Sequence, residues 1–191
     1  VTRRLETGRL SLRPLKPADW PDVWAYTSDP DVMRYLPIGP FDRAEARAWV
    51  ERWSDWGQRG SGWPDMWAVT LRGEERLIGH LPFEVFSVKH RTREIGWVVH
   101  PAYQGQGLAT EAARALLDLG FGEFNLHRVV ATCDPRNGAS ARIMEKLGMR
   151  REGHFRRDVQ LDGQWCDEYF YAILQDEWRD WPEAGLYSGE G

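Results

Sequence analysis

Polar and apolar residues alternate from position 9 to position 15 with Leu10 and Leu12 on one face, which predicts a first strand. Pro17 suits the first turn of a helix that carries Trp20, Val23 and Trp24 towards Ser28, and Asp29-Pro30-Asp31 breaks it. Ala46, Trp49, Val50 and Trp53 recur at helical spacing and predict a second helix over residues 43–56. Residues 57–64 hold three glycines and read as a mobile loop. Strand patterns follow at 67–71, 76–86 and 92–99. No helix-length insertion separates them, so consecutive antiparallel pairing is expected.

After Pro101 the period changes. Ala109, Ala112, Ala113, Leu116, Leu117 and Phe124 mark an amphipathic helix, and residues 128–133 (RVVATC) read as a buried strand. A short helix over 140–147 ends at Gly148, placed for a left-handed stop. Two strands, 151–161 and 167–174, close the pattern around Asp162-Gly163. The sum is an α/β (α+β) fold: a mixed, mostly antiparallel seven-stranded sheet with helices on both faces. Its one βαβ unit, residues 92–133, is expected to be parallel and right-handed. Residues 1–179 read as a single domain, and 180–191 (DWPEAGLYSGEG) as a flexible tail.

Composition narrows the function classes. The chain has 191 residues, enough for one ordinary domain, and a net charge of -4, which argues against a nucleic-acid partner. No apolar run reaches the roughly 18 residues of a membrane span, and VTRRLETGRL shows no apolar signal region, so the expectation is a cytoplasmic protein with no membrane partner. Cys133 and Cys166, the two cysteines, cannot build a disulfide framework, and the five histidines show no metal spacing. No metal is expected. Tryptophan is the unusual component: seven of the eleven fall between Trp20 and Trp67. Such a set permits a homodimer, so the expectation is a monomer or a homodimer.

The chemistry concentrates in residues 95–112 (IGWVVHPAYQGQGLATEA), where a strand enters a glycine turn that opens directly into a helix. Glycines let backbone approach a ligand, and the free N–H groups of a first helical turn suit a pyrophosphate. A dinucleotide fingerprint fits Gly105 and Gly107 but meets Thr110 at its third position, and its acidic residue would come late, at Asp134. A Walker loop fails, since no Gly-Lys-Ser/Thr follows. A ligand-free glycine turn is the bland reading.

Gln104, Gly107 and Ala109 meet the pattern Q/R-x-x-G-x-G/A. Around it stand Thr7-Gly8-Arg9-Leu10, Leu12-Arg13, residues 31–36 (DVMRYL), Glu94-Ile95-Gly96-Trp97, Asn137 with Ser140, residues 145–148 (EKLG), and 163–167 before Tyr171. In this order and spacing the chain resembles the GNAT N-acetyltransferase superfamily. Within it, the likeness is to the branch holding the ribosomal-protein N-terminal acetyltransferases.

The resemblance implies acetyl-CoA as co-substrate and a splayed parallel pair at the sheet centre. The pantetheine arm would pair with Trp97, Val98 and Val99, and a backbone N–H near Val99 would steady the thioester oxygen. The N–H groups of Gln104, Gly105, Gln106, Gly107, Leu108, Ala109 and Thr110 would hold the pyrophosphate. Asn137 and Ser140 match positions beside the pantetheine and the sulfur, and Arg142 and Lys146 are 3′-phosphate contacts or simply a solvated helix face.

The implied reaction is direct attack of a neutral amine on acetyl-CoA. Glu94 is the first candidate base, or a strand carboxylate paired with Arg91 or Arg93; Asp134 is the second, or a cap. Many superfamily members carry a tyrosine acid seven residues after the asparagine, where this chain has Met144. Ser140 takes that role by the branch resemblance, and a first-turn hydroxyl is its structural alternative. Tyr35, Trp63 and Trp165 are candidate acceptor contacts; Asp55, Asp65 and Asp162 offer charge for a cationic amine, and Arg150, Arg151, Arg156 and Arg157 offer it for an acidic partner. Three functions follow: acetylation of a protein α-amine, acetylation of a small amine, or a CoA-binding module without transfer.

Overall fold

The computed structural model describes residues 4–55 and 64–182. Its front half comprises β1 (Leu5–Glu6), β2 (Leu10–Pro14), α1 (Trp20–Thr27), α2 (Pro30–Met33), α3 (Arg43–Ser54), β3 (Met66–Leu71) and β4 (Leu77–Ser87). Then come β5 (Thr92–Ile95), β6 (Val98–Val99), α4 (Leu108–Gly122), β7 (Arg128–Cys133), α5 (Gly138–Lys146), β8 (Arg150–Leu161), β9 (Gln164–Leu174) and α6 (Gln175–Arg179). The sheet runs β1-β2-β3-β4-β5-β7-β9-β8, with β6 paired to β4. All pairings are antiparallel except β5 with β7. The expected mixed sheet and its parallel central pair are present. The strand count differs from the expected seven because β1 adds a short edge and the strand over 92–99 is two pieces.

That division shapes the site. Phe83 pairs with Ile95 and His80 with Val98, so the register against β4 continues across Gly96-Trp97. On the other side, β5 keeps β7 only over Thr92–Glu94 against Arg128–Val130. Beyond that point β6 follows β4 while β7 departs, and a wedge opens inside the sheet. Gly79 permits the turn of β6, since a Cβ there would lie 2.5 Å from the Val98 carbonyl oxygen.

Two apolar cores flank the sheet. On one face Leu10, Leu12, Trp67, Phe83 and Ile95 meet Leu116 and Leu117 of α4. On the other, Val23, Tyr26 and Val50 of α1 and α3 meet Met66, Ala68 and Val98. Trp20, Trp49 and Trp53 pack on this second core, so helix packing accounts for most of the front-half tryptophans that the structure describes.

Local chemistry explains the element ends. Asp29 accepts the Asp31 N–H, so the break after α1 is also the N-cap of α2. Asp42 and Glu45 form a reciprocal capping box on α3. Gly148, at φ +74°, stops α5 as expected: its N–H reaches the Glu145 carbonyl and the Met149 N–H reaches that of Met144. Asp162 and Gly163 both have positive φ and close the β8–β9 hairpin. Trp181, in the segment expected to fray, packs against the first core.

Candidate active site

The wedge between β6 and β7 is one wall of a cleft of about 450 Å³. Trp97, Val98, Val99, Gln104, Gly105, Gly107, Leu108, Ala109, Thr110, Asn137, Ser140 and Arg142 line it, as do Tyr35 and Lys146. Gln106 stands apart: its side chain donates to the Ala102 carbonyl and its own carbonyl accepts from Arg9.

The backbone of the wedge is oriented for a guest. The N–H groups of Gly96 and His100 donate to Pro82 and Ile78 of β4. Successive residues of a strand point their N–H groups to opposite edges, so those of Trp97 and Val99 face away from β4, into the cleft. The Val99 carbonyl, on that same edge, accepts the Gln104 side-chain amide at 2.8 Å. Gln104 thus steadies the splayed strand, and its own N–H is spent on Pro101. The Gln104 backbone therefore brings no free N–H to the cleft.

Gly107 starts α4 in the left-handed region, at φ +77°, with no side chain to cap the helix. The first-turn N–H groups of Leu108, Ala109 and Thr110 precede the first helical hydrogen bond, Glu111 N–H to Gly107, and are left for an anion. On the facing wall Asn137 caps α5 by accepting the Ser140 N–H at 3.1 Å. The Ser140 hydroxyl meets the Cys133 thiol, whose pKa burial pushes up to about 11. At neutral pH Cys133 is a thiol.

Glu94 lies one layer behind the wall, its Oε1 accepting the Thr132 hydroxyl at 3.4 Å. Thr132 lines the cleft. Neither alternative partner holds Glu94: Arg93 binds Asp65 at 3.0 Å and the Phe83 carbonyl, and Arg91 donates to the Asn125 carbonyl. Burial, and then the charge of Glu84, raise the Glu94 pKa. Glu168, which the sequence reading passed over, sits on the same sheet face and shares Thr132; burial raises its pKa too. A single hydroxyl proton cannot serve two carboxylates, so both retain proton affinity. Glu84 pairs with Glu94 across the strands and completes an acidic strip. Among the described residues none of the three is in a salt bridge.

Other candidates are placed differently. Asp134 lines the cleft but is clamped by Arg136 at 2.6 Å, and these bonds hold its carboxyl below the usual carboxylate range, so its proton affinity is lower than that of Glu94. Asp65 is buried against Arg93 and cannot face an acceptor. Trp165 is 61% exposed on the hairpin, outside the cleft, and Trp63 lies outside the described residues. Tyr35 also borders a second groove of about 390 Å³ with Arg34, Arg136, Gln164 and Cys166. Of the basic rim, Arg150 pairs with Glu177 and Arg151 stacks on Tyr169. Among the described residues no group of three or more His, Cys, Asp or Glu could hold a metal ion, and no helix is long and apolar enough to cross a membrane.

Comparison with known proteins gives this geometry a context. A family model described as an acetyltransferase (GNAT) domain matches residues 9–150. An uncharacterized N-acetyltransferase of Bacillus subtilis, YnaD, is 47% identical over 92% of this chain and 99% of its own. The spermidine N(1)-acetyltransferase of Escherichia coli K12 is 29% identical over 88% of each chain. Among solved structures, a GNAT-family acetyltransferase from Bacillus anthracis superposes with a TM-score of 0.82 at 42% identity, over 91% of this chain and 99% of that one. The fold is shared as well with RimL, the ribosomal L7/L12 α-N-protein acetyltransferase solved with coenzyme A, with a TM-score of 0.81 at 21% identity over 92% and 99%.

Proposed function

The chain belongs to the GNAT acetyltransferase family and is an acetyl-CoA-dependent N-acetyltransferase, and we propose that its acceptor is a small amine carrying more than one positive charge. The acidic strip of Glu84, Glu94 and Glu168 carries this reading: three carboxylates on the sheet face reached through Thr132, none in a described salt bridge, with the charge of Arg52 acting on Glu84 alone. A multiply charged amine supplies the missing positive charge. The full-length likeness to a spermidine acetyltransferase points the same way.

The chemistry is consistent with such an acceptor. A primary amine near pKa 10.4 costs about 4–5 kcal/mol to neutralise at pH 7, against about 1 for an α-amine. The first therefore needs a real base. Glu94, its proton affinity raised by burial, accepts the amine proton through Thr132 or a water beside it. The Val99 N–H steadies the thioester oxygen as charge develops. Ser140, held in place by the α5 cap, gives the departing sulfur its proton. Residues 105–110 hold the diphosphate, with Arg142 and Lys146 at the nucleotide end.

A protein α-amine is the second reading. The groove along Tyr35, Arg136 and Gln164 adjoins the cleft and offers room for an extended chain. Thiol release from acetyl-CoA is to be compared across spermidine, spermine and monoamines, and peptides with free Ser, Ala or Thr ends. Preference for the polyamines supports the proposal. Turnover confined to the peptides transfers the assignment to the second reading.

A further inference from the structure

The N-terminal segment is tied to the start of α4 by a set of bonds that the reaction itself does not require. Glu111, buried in the first turn of α4, accepts the Thr7 hydroxyl at 2.6 Å and the Arg9 N–H at 2.9 Å on one oxygen. Its other oxygen accepts Arg9 Nε at 2.6 Å. The Arg9 guanidinium then reaches on, and Nη1 donates to the Gln106 carbonyl at 3.0 Å. A Cβ at Gly107 would lie 3.7 Å from Nη2 of the same guanidinium. Burial, which by itself raises a carboxyl pKa, is outweighed at Glu111 by the bonds from Thr7 and Arg9, so the group stays ionised. One side chain thus spans the junction between the loop, at Gln106, and the first turn of α4, at Glu111.

We propose that Arg9 is a positioning residue for acetyl-CoA: it fixes the loop at Gln106 and neutralises the Glu111 carboxylate, so that the diphosphate meets the free amides of α4 without an opposing charge. The inference rests on the reading of residues 105–110 as the diphosphate site. An acidic side chain in the first turn favours the helix itself but repels a dianion placed on the same N–H groups. The brace resolves that conflict by turning the carboxylate towards β2 and pairing it there. Arg9 never touches the reacting atoms. Its geometry explains why the turn between β1 and β2 and a helix at the cleft share a charged pair far apart in sequence.

The test is the dissociation constant for CoA, measured by titration calorimetry in the wild type, Arg9→Met, Arg9→Lys, Arg9→Met/Glu111→Gln and Gly107→Val, with circular dichroism to verify folding. Arg9→Met should weaken CoA about tenfold, the size of one charge-assisted bond. Arg9→Lys keeps the charge and should recover part of the loss. The double variant removes the uncompensated carboxylate and should bind CoA more tightly than Arg9→Met, an outcome that a purely structural role would not give. Arg9→Met within twofold of wild type, or a double variant no tighter than Arg9→Met, overturns the proposal. Gly107→Val tests the loop itself. If it binds CoA as wild type does, the diphosphate reading fails; if it alone is weak, only the brace fails.

Discussion

Glu94 is the base proposed above, and the groups around it set how readily it takes a proton. Arg91 and Arg93 are both engaged elsewhere, leaving Glu94 with Thr132 and two like charges for company. Because its folded pKa is raised, the proton-accepting form grows in as pH rises through that value. Turnover at saturating acetyl-CoA should rise with pH on that limb, and Glu94→Gln should lower it about a hundredfold and abolish the limb. The same linkage has a cost in stability. A carboxyl with raised folded pKa supports the fold below its unfolded pKa and loses that support as pH rises, so Glu94→Gln should melt higher than wild type at neutral pH. A fall in both turnover and melting temperature would mark Glu94 as a packing residue. The sequence pointed to Glu94 through a motif, but not to Glu168. Its link to Glu94 through Thr132 crosses two strands and leaves no local pattern.

Among the elements, the strand pair around Gly96-Trp97 shows where the sequence was legible and where it was not. Residues 92–99 read as one strand because the register against β4 is constant from Arg93 to Val99, and alternation records only that ladder. The division is made by the other neighbour, β7, which leaves after Val130. Helix ends fared better, since Asp29 and Gly148 act on their own backbones and show in the sequence as a break and a stop, whereas the Asp42 cap emerges from the structure. Among the front-half tryptophans, Trp49 and Trp53 recur at helical spacing and pack with Trp20 on the core between α1, α3 and the sheet. Gly79 gives the wedge a direct test. Gly79→Ala puts a Cβ 2.5 Å from the Val98 oxygen and must move β6. The expected cost is about 1–3 kcal/mol of stability, together with at least tenfold weaker CoA binding. Gly122→Ala, where a Cβ meets nothing within 4 Å, serves as the control. Equal CoA affinity in the two variants would contradict the role given to β6.

For the molecule as a whole, the two cores differ in polarity. The first is almost entirely apolar, whereas the second encloses His80, whose Nδ1 lies 2.8 Å from the Tyr26 hydroxyl, beside the Trp49 ring. Burial lowers the His80 pKa from 6.5 to about 3. The unfolded chain takes up a proton below pH 6.5 that the folded chain refuses until about pH 3, so stability falls as pH drops through that window. The slope from this one group approaches about 1.4 kcal/mol per pH unit. Urea midpoints measured between pH 7 and pH 4 should therefore decline more steeply in wild type than in His80→Gln, which can still bond Tyr26. Parallel slopes would show that His80 takes up its proton in the folded state. Periodicity supplied the order of elements, and the family resemblance the splayed central pair and the glycine turn proposed for acetyl-CoA. Residues that meet only after folding, such as Arg9 with Glu111 and Arg136 with Cys166, were beyond any reading of spacing.

Acetyl transfer to an amine nitrogen is the claim on which the rest depends, and it can be measured by following CoA thiol and acetylated amine together in one reaction. With spermidine at saturation the account predicts one thiol for each N-acetyl group found by mass spectrometry, both lost together in Glu94→Gln. Thiol release without acetylated amine, or CoA binding with no turnover on any amine supplied, would contradict it.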